Sequence, residues 1–213
     1  MNSVILVPQG AEYQAVCQGL KSHAHPPRVI SIPIGEAAVK HCLEQLPAHD
    51  FDQVLVMGLC GSLSTAYEIG SLTLYRECVD RVGQIHPCDR TLTQRLQDQF
   101  QVSPVRALTR DRVICSASEK RELAKQFNAE VVDMEGVAVL ESLNLPIAML
   151  RVVSDDARHD LPEMNATIDA NGNLKSERLA LEMIKRPIAA ARLIRGAIAG
   201  LRELRQVASR LNF

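Results

Sequence analysis

The chain has 213 residues, 46% of them apolar, a formal net charge of −1, no Trp, three Tyr and four Phe. This is a soluble globular composition, long enough to bury about 70% of the surface its unfolded chain exposes without a metal or disulfide staple, so residues 1–213 read as one domain. So few aromatics exclude a stacking platform for single-stranded nucleic acid, and no apolar run is long enough to span a membrane.

Six Cys are present, none in a Cys-x-x-Cys pair, and no His cluster stands at ligand spacing, so neither a structural zinc nor another metal is expected. The start, Met1-Asn2-Ser3, has neither the basic region nor the long apolar core of a secretory signal. A cytoplasmic protein with reduced thiols is the expectation.

Residues 4–7 form a continuous apolar run ending in Pro8-Gln9-Gly10, the pattern of a buried strand and its turn. Residues 11–16 open a helix with Ala11, Ala15 and Leu20 towards the core, and Pro26-Pro27 breaks the chain. Residues 28–34 alternate as a strand, and Gly35 opens a helix through Ala38, His41, Cys42 and Leu46. Residues 53–57 form the next buried strand, running into Gly58-Leu59-Cys60-Gly61-Ser62. Two glycines in four residues allow close approach of backbone to a ligand, or simply make a tight turn. No Gly-Lys-Ser/Thr follows, so this is not a Walker-type loop.

Residues 70–79 read as a strand, 91–100 as a polar helix, 105–108 and 112–115 as short strands, and 119–127 as a charged surface helix. Val131-Val132-Asp133 then runs into a turn, and a helix opens on Met134 and Glu135 and ends near Leu143. Asp133 reads as a helix cap and Glu135 as a first-turn residue. Equally, carboxylates at a strand end beside a helix dipole stand where open α/β sheets bind ligands. Residues 147–153 form another apolar strand ending in Ser154-Asp155-Asp156. Residues 156–173, with Pro162 and Gly172, read as a mobile loop over a site.

The tail from Ser176 is helical, with Ile194, Ile198, Leu201, Leu204, Ala208 and Leu211 on one side. Residues 185–213 carry seven Lys or Arg and one Glu, a net +6 that leaves −7 on the rest. This tail either packs its stripe on the body with its arginines solvated, or meets an anionic membrane surface or a polar lipid substrate. Strands alternating with helices argue for a three-layer α-β-α fold: a central, mainly parallel (mixed) twisted sheet in a single domain, with residues 176–213 a C-terminal helical extension.

Polar groups now stand at several strand ends: Glu12, Gly58 to Ser62, Met134-Glu135 and Ser154-Asp155. Val132-Asp133-Met134-Glu135-Gly136, Val153-Ser154-Asp155 and Gly58-Leu59-Cys60-Gly61-Ser62 resemble, in order, motifs of the nucleoside phosphorylase and nucleosidase superfamily. The resemblance implies cleavage of a purine N-glycosidic bond in a homo-oligomer, with no cofactor. It places Glu135 on the ribose hydroxyls with Met134 packed on the sugar, and Asp155, oriented by Ser154, as the acid at the leaving base. Leu59, Cys60 and Gly61 would line the substrate, and Gly58 and Ser62 would belong to the loop that presents water or phosphate.

Glu12 stands where the hydrolases of the superfamily carry the carboxylate that activates water. The arginine that phosphorylases carry before the glycine loop is replaced by Val56-Met57. Methylthioadenosine and S-adenosylhomocysteine are the expected kind of substrate. Arg151-Val152-Val153-Ser154-Asp155-Asp156-Ala157, Leu161-Pro162 and the basic tail are similar to the hopanoid-associated branch, which implies adenosylhopane instead. Ser116-Ala117-Ser118-Glu119 stands where superfamily members often place an aromatic against the base, so the base wall must come from elsewhere, such as the loop after Asp156. Two further readings stay open: a nucleoside sensor on the same fold, and a membrane-surface adaptor.

Overall fold

The computed structural model describes residues 2–165 and 176–213, with side chains from 181 onward in the second segment. The strands are β1 (Ser3–Pro8), β2 (Arg28–Ile32), β3 (Gln53–Ser62), β4 (Leu72–Val79), β5 (Ile85–Pro87), β6 (Pro104–Thr109), β7 (Val131–Asp133) and β8 (Ile147–Asp155). The helices are α1 (Ala11–Leu20), α2 (Glu36–Glu44), α3 (Arg90–Phe100), α4 (Ala117–Phe127), α5 (Gly136–Ser142), α6 (Ser176–Lys185) and α7 (Pro187–Arg210).

The described strands join one mixed sheet in the order β2-β1-β3-β7-β6-β4-β5, with β8 bridging β3 and β4. Two routes therefore lead from β3 to β4, and β3, β8, β4, β6 and β7 close into a ring. The β1–β2, β1–β3, β3–β8, β4–β6 and β6–β7 pairs are parallel, whereas β3–β7, β4–β8 and β4–β5 are antiparallel.

The continuous apolar runs follow from burial on both faces. Val4 and Leu6 of β1 join Val54, Val56 and Met149 in a core under α2 and α5, which contribute Val39, Leu43, Val137 and Ala138. Ile5 and Val7 point the other way, into a core with Leu55, Met57, Leu150 and Val152, closed by Val16 and Leu20 of α1 and Leu204 and Val207 of α7. Ala11 of α1 is exposed; the buried positions are Ala15, Val16, Gly19 and Leu20.

Four other sequence expectations need correction. Gly58 to Ser62 is the end of β3 and not a loop: Gly58, Leu59 and Cys60 pair with β8, Gly61 pairs with Asp155 of β8 after a register shift and with Val132 of β7, and Ser62 pairs with Val131 of β7. Residues 112–115 form no strand; Asn165 takes the place of a neighbouring strand, accepting from Val113 N at 2.9 Å and donating to its carbonyl at 3.1 Å. Helix α4 is not merely a surface helix, since Lys120 is fully buried on the face of Leu123 and Phe127.

Leu204 and Ala208 in α7 and Leu211 just after it are buried, but Ile194 and Ile198 are 46% and 56% exposed. The reason is the closeness of the helix to the end of β8. A Cβ on Gly196 would stand 2.1 Å from the Ser154 carbonyl, and one on Gly200 would stand 2.9 Å from Leu59 Cδ2. The large residues are turned aside to let that contact form. The Gly172 turn and most of the second half of the loop expected over 156–173 lie outside the described residues.

This contact sets two effects against each other in Gly196→Ala. Alanine gains about 1 kcal/mol of helix propensity over glycine, whereas overpacking against backbone costs about 1–3 kcal/mol. The Ser154 carbonyl is fixed by its strand, so overpacking wins: the variant is expected to unfold at lower urea than the parent. A raised midpoint would show that α7 does not press on β8.

Candidate active site

Four chain segments end around one cavity of about 400 Å³. Its lining includes Glu12 from the first turn of α1, Leu59, Cys60 and Gly61 from β3, Asp133, Met134 and Glu135 from the β7–α5 junction, and Ser154 and Asp155 from β8. A second hollow of about 460 Å³, between Arg158, His159 and Asp160 on one side and Arg186 and Arg192 on the other, contains none of these strand-end residues. Gly58 and Ser62 do not line the cavity. Ser62 is buried and its Oγ donates to the Ser64 carbonyl at 2.6 Å. Gly58 instead makes room: a Cβ there would stand 2.6 Å from both Arg151 Nη1 and Glu12 Oε2.

Arg151 organises the acidic end. It lies midway along β8, has no exposed surface, and reaches Glu135 Oε2 at 3.2 Å and Asp133 Oδ2 at 3.6 Å through Nη2. Its Nη1 donates to the Leu59 carbonyl at 3.3 Å. Burial alone would lower the guanidinium pKa, but Glu135 and Asp133 more than offset it and leave the pKa raised. Asp133 Oδ1 accepts from Thr109 Oγ1 at 2.7 Å and from Gly136 N at 3.2 Å, so it does tie down the start of α5. Glu135 Oε1 accepts from Gly35 N at 3.3 Å. Burial raises the Glu135 pKa against the pull of Arg151, and Asp133 adds to the rise.

Two carboxyl oxygens here are buried without a hydrogen-bond partner: Asp133 Oδ2, which faces Arg151 Nη2 at 3.6 Å, and Glu12 Oε2. Burial pushes the Glu12 pKa up to about 8; Arg151 and the Leu59 backbone oppose that, and Glu135 adds to it. A carboxyl balanced near neutrality, facing a cavity, can take a proton from a bound molecule. Cys60 cannot act as a nucleophile in the same way, because burial pushes its thiol up to about 12 and leaves it protonated.

Asp155 marks the other end. It lies over Gly61, where a Cβ would stand 3.0 Å from Oδ2. Ser154 Oγ lies 3.0 Å from Asp155 Oδ1 and 3.3 Å from the Cys60 carbonyl. Lys120 Nζ donates to Asp155 Oδ2 and, at 2.7 Å, to the Asp156 carbonyl. Between the two ends the wall is aliphatic: Met134, Val113, Ile114, Leu161 and Met164, with no aromatic side chain among the described lining residues. Leu161 and Met164 belong to the segment after Asp156 from which a base wall was expected. Met183 of α6 and Leu193, Ile194 and Ala197 of α7 continue the apolar lining.

A family profile described as the phosphorylase superfamily matches residues 8–185. The chain belongs to the phosphorylase superfamily. Its fold is similar to that of futalosine hydrolase from Helicobacter pylori strain 26695, with a TM-score of 0.68 and 16% identity over 98% of this chain and 97% of that one. The 5′-methylthioadenosine/S-adenosylhomocysteine nucleosidase of H. pylori, solved with a substituted pyrrolidin-3-ol, gives 0.67 and 16% over 98% of each chain. The corresponding nucleosidase of Campylobacter jejuni gives 0.65 and 18% over 99% of this chain and 100% of that one. A search of curated proteins gives no match.

Within this superfamily member, sequence reasoning brought Glu12, Glu135 and Asp155 to one cavity but assigned nothing to Arg151 or Lys120. Both left a signal. Arg151 is an isolated charge inside the apolar strand 147–153, and such a charge must be paired. Lys120 is three residues before Leu123 and seven before Phe127, on the buried stripe of its helix.

The raised pKa of Glu12 has a stability consequence. The folded state holds this proton more tightly than the unfolded chain, so the stabilisation is complete below about pH 4.5 and is lost as pH rises through about 8. Glu12→Gln removes that loss. Each pKa unit corresponds to about 1.4 kcal/mol. The variant is therefore expected to gain on the parent protein steadily from pH 5 to pH 8.5 in urea unfolding. A pH-independent difference would show that Glu12 is not perturbed.

Proposed function

We propose that this protein cleaves the N-glycosidic bond of a purine nucleoside, with water as the attacking group. The supporting observation is that Glu135 and Asp155 line one cavity, with Met134 and an aliphatic wall between them and Glu12 at the Glu135 end. Breaking the bond leaves positive charge on the sugar and negative charge on the base. Glu135 and Met134 would hold the ribose, the carboxylate lying near the developing cation. Asp155 would protonate the leaving purine, and Leu59, Cys60 and Gly61 would floor the site. Glu12 would take the proton of the attacking water through its unpartnered oxygen.

Water is favoured over phosphate on electrostatic grounds. The cation at this end, Arg151, is already engaged by Glu135 and Asp133. A phosphate dianion there would meet Glu12 and Glu135 without a free guanidinium to receive it. Gly58 and Ser62 offer no phosphate cradle, being committed to the strand and to Ser64.

The substrate we infer is a 5′-modified adenosine such as methylthioadenosine or S-adenosylhomocysteine, its substituent lying along Met183, Leu193, Ile194 and Ala197. One observation favours a longer hydrophobic substituent, as in adenosylhopane. Leu181, Ile184, Ile188 and Ile198 are 54%, 77%, 70% and 56% exposed on the same two helices. Their apolar side chains, among the arginines of the tail, would suit a lipid-bearing nucleoside presented at a membrane surface. No helix among the described residues is long and apolar enough to cross a membrane. A homo-oligomer is part of the same proposal, to be tested by sedimentation.

Adenine release from methylthioadenosine should proceed equally with and without phosphate and yield the free pentose. A requirement for phosphate would reassign the protein to phosphorolysis. Glu135→Gln should lower kcat about a hundredfold or more, and Asp155→Asn about 10²–10⁴-fold, both with the fold intact by circular dichroism. A loss under about threefold in either would argue against its assigned role.

A further inference from the structure

Lys120 has no exposed surface, yet it does not line the cavity. Asp155 stands between the two. The ammonium donates to Asp155 Oδ2 on one side and to the Asp156 carbonyl at 2.7 Å on the other. Helix α4 fixes it there, because Leu123 and Phe127 on the same face are packed in an apolar cluster with Leu108, Ile114 and Val132. Burying an ammonium costs several kcal/mol even after relaxation, so a lysine at this place needs its carboxylate partner, and the aliphatic stem alone does not account for it.

Both oxygens of Asp155 face donors: Lys120 at Oδ2 and the Ser154 hydroxyl at Oδ1. A proton bound for a leaving base therefore has to reach Asp155 from one of these two donors. The serine hydroxyl does not release one at neutral pH, but an ammonium can. The remaining titratable groups nearby are Cys115 before α4, and Asp156, Asp160 and Glu163 in the segment after β8. Asp156 is occupied by His159 at 3.0 Å, Asp160 accepts from Ala117 N at 2.8 Å, and Glu163 accepts from Asn165 N at 2.9 Å. Burial raises the Cys115 pKa, so it is a protonated bystander. Glu119, next to Lys120 in the chain, is turned to Arg112.

We propose that Lys120 is a positioning residue that also supplies the proton Asp155 delivers to the purine. This rests on the acid role given to Asp155 above. An Nζ–H bond breaks and an Oδ2–H bond forms, turning ammonium and carboxylate into amine and carboxylic acid. As the glycosidic bond breaks, its electron pair moves onto the purine, and the acid proton passes to a ring nitrogen. The base leaves neutral, Asp155 is again a carboxylate, and Lys120 is an amine that regains its proton from water once the base has gone.

The test compares two leaving groups in the full-length protein: methylthioadenosine, whose purine leaves with a proton, and 4-nitrophenyl β-D-riboside, whose phenolate needs none. Lys120→Met should lower kcat on the purine nucleoside about 10²-fold or more, with KM little changed, and lower it less than about threefold on the nitrophenyl riboside. Lys120→Arg keeps the charge but not a releasable proton, so it should restore the fold and not the purine rate. Should Lys120→Met fail to fold, Lys120→Arg decides alone: it should lose about 10²-fold or more in kcat on the purine nucleoside and less than about threefold on the nitrophenyl riboside. Equal losses on both substrates, or restoration of the purine rate by arginine, would each overturn the assignment. A parent protein that releases nitrophenol but never adenine would remove the purine reading itself, and this one with it.

Discussion

A guanidinium with no contact to water sits midway along β8, and the acidic end of the cavity exists because of it. Glu135 and Asp133 are both buried, and each would be costly there without Arg151. Removing one partner from such a cluster typically costs about 3–5 kcal/mol, because the remaining charges stay in place uncompensated. The cluster also explains the strand chemistry around it. Gly58 has no side chain because the guanidinium and Glu12 occupy that space. Thr109 lies opposite Asp133 in the β6–β7 register and donates to its free side.

The ring of β3, β8, β4, β6 and β7 is what brings separate carboxylates to one place. Strand β3 keeps β8 as a partner as far as Gly61, through a register shift after Cys60, and takes β7 as a further partner at Gly61 and Ser62, so its end lies between the strand that carries Asp155 and the one that leads to Glu135. An open sheet would set those strand ends side by side in a row. The shift in register at Cys60 and Gly61 bends them around a common space, and α7 closes it from behind by touching Ser154 through Gly196. The result is a cavity with a charged pole at each end and aliphatic walls between, a form suited to a ligand that is polar at both ends and flat in the middle.

Much of this was legible in the order of residues. The apolar runs of β1, β3 and β8 declare burial on both faces, and Met134-Glu135 and Ser154-Asp155 are short motifs at strand ends. What stayed hidden has one cause: it depends on contacts between segments far apart in the chain. Gly58 to Ser62 looks like a turn because glycines usually make turns, and here they make room for charged groups from β8 and α1. Residues 112–115 read as a short strand, yet the partner of Val113 is the side chain of Asn165. Lys120 disappears among the charges of α4 until its spacing to Leu123 is noticed. Ile194 and Ile198 fit the apolar stripe of α7, but the helix comes too near β8 to bury anything as large.

The packing of α1 against α7 carries a consequence of timing. Gly19 lies so close to the last turns of α7 that a Cβ there would meet the Arg205 carbonyl at 2.4 Å, and His23 Nε2 lies 3.1 Å from the Ala208 carbonyl. On the ribosome α1 is made long before α7. The face of α1 that meets α7 therefore stays uncovered until α7 has been made, and the nascent chain has to keep that face from sticking to other molecules over the interval.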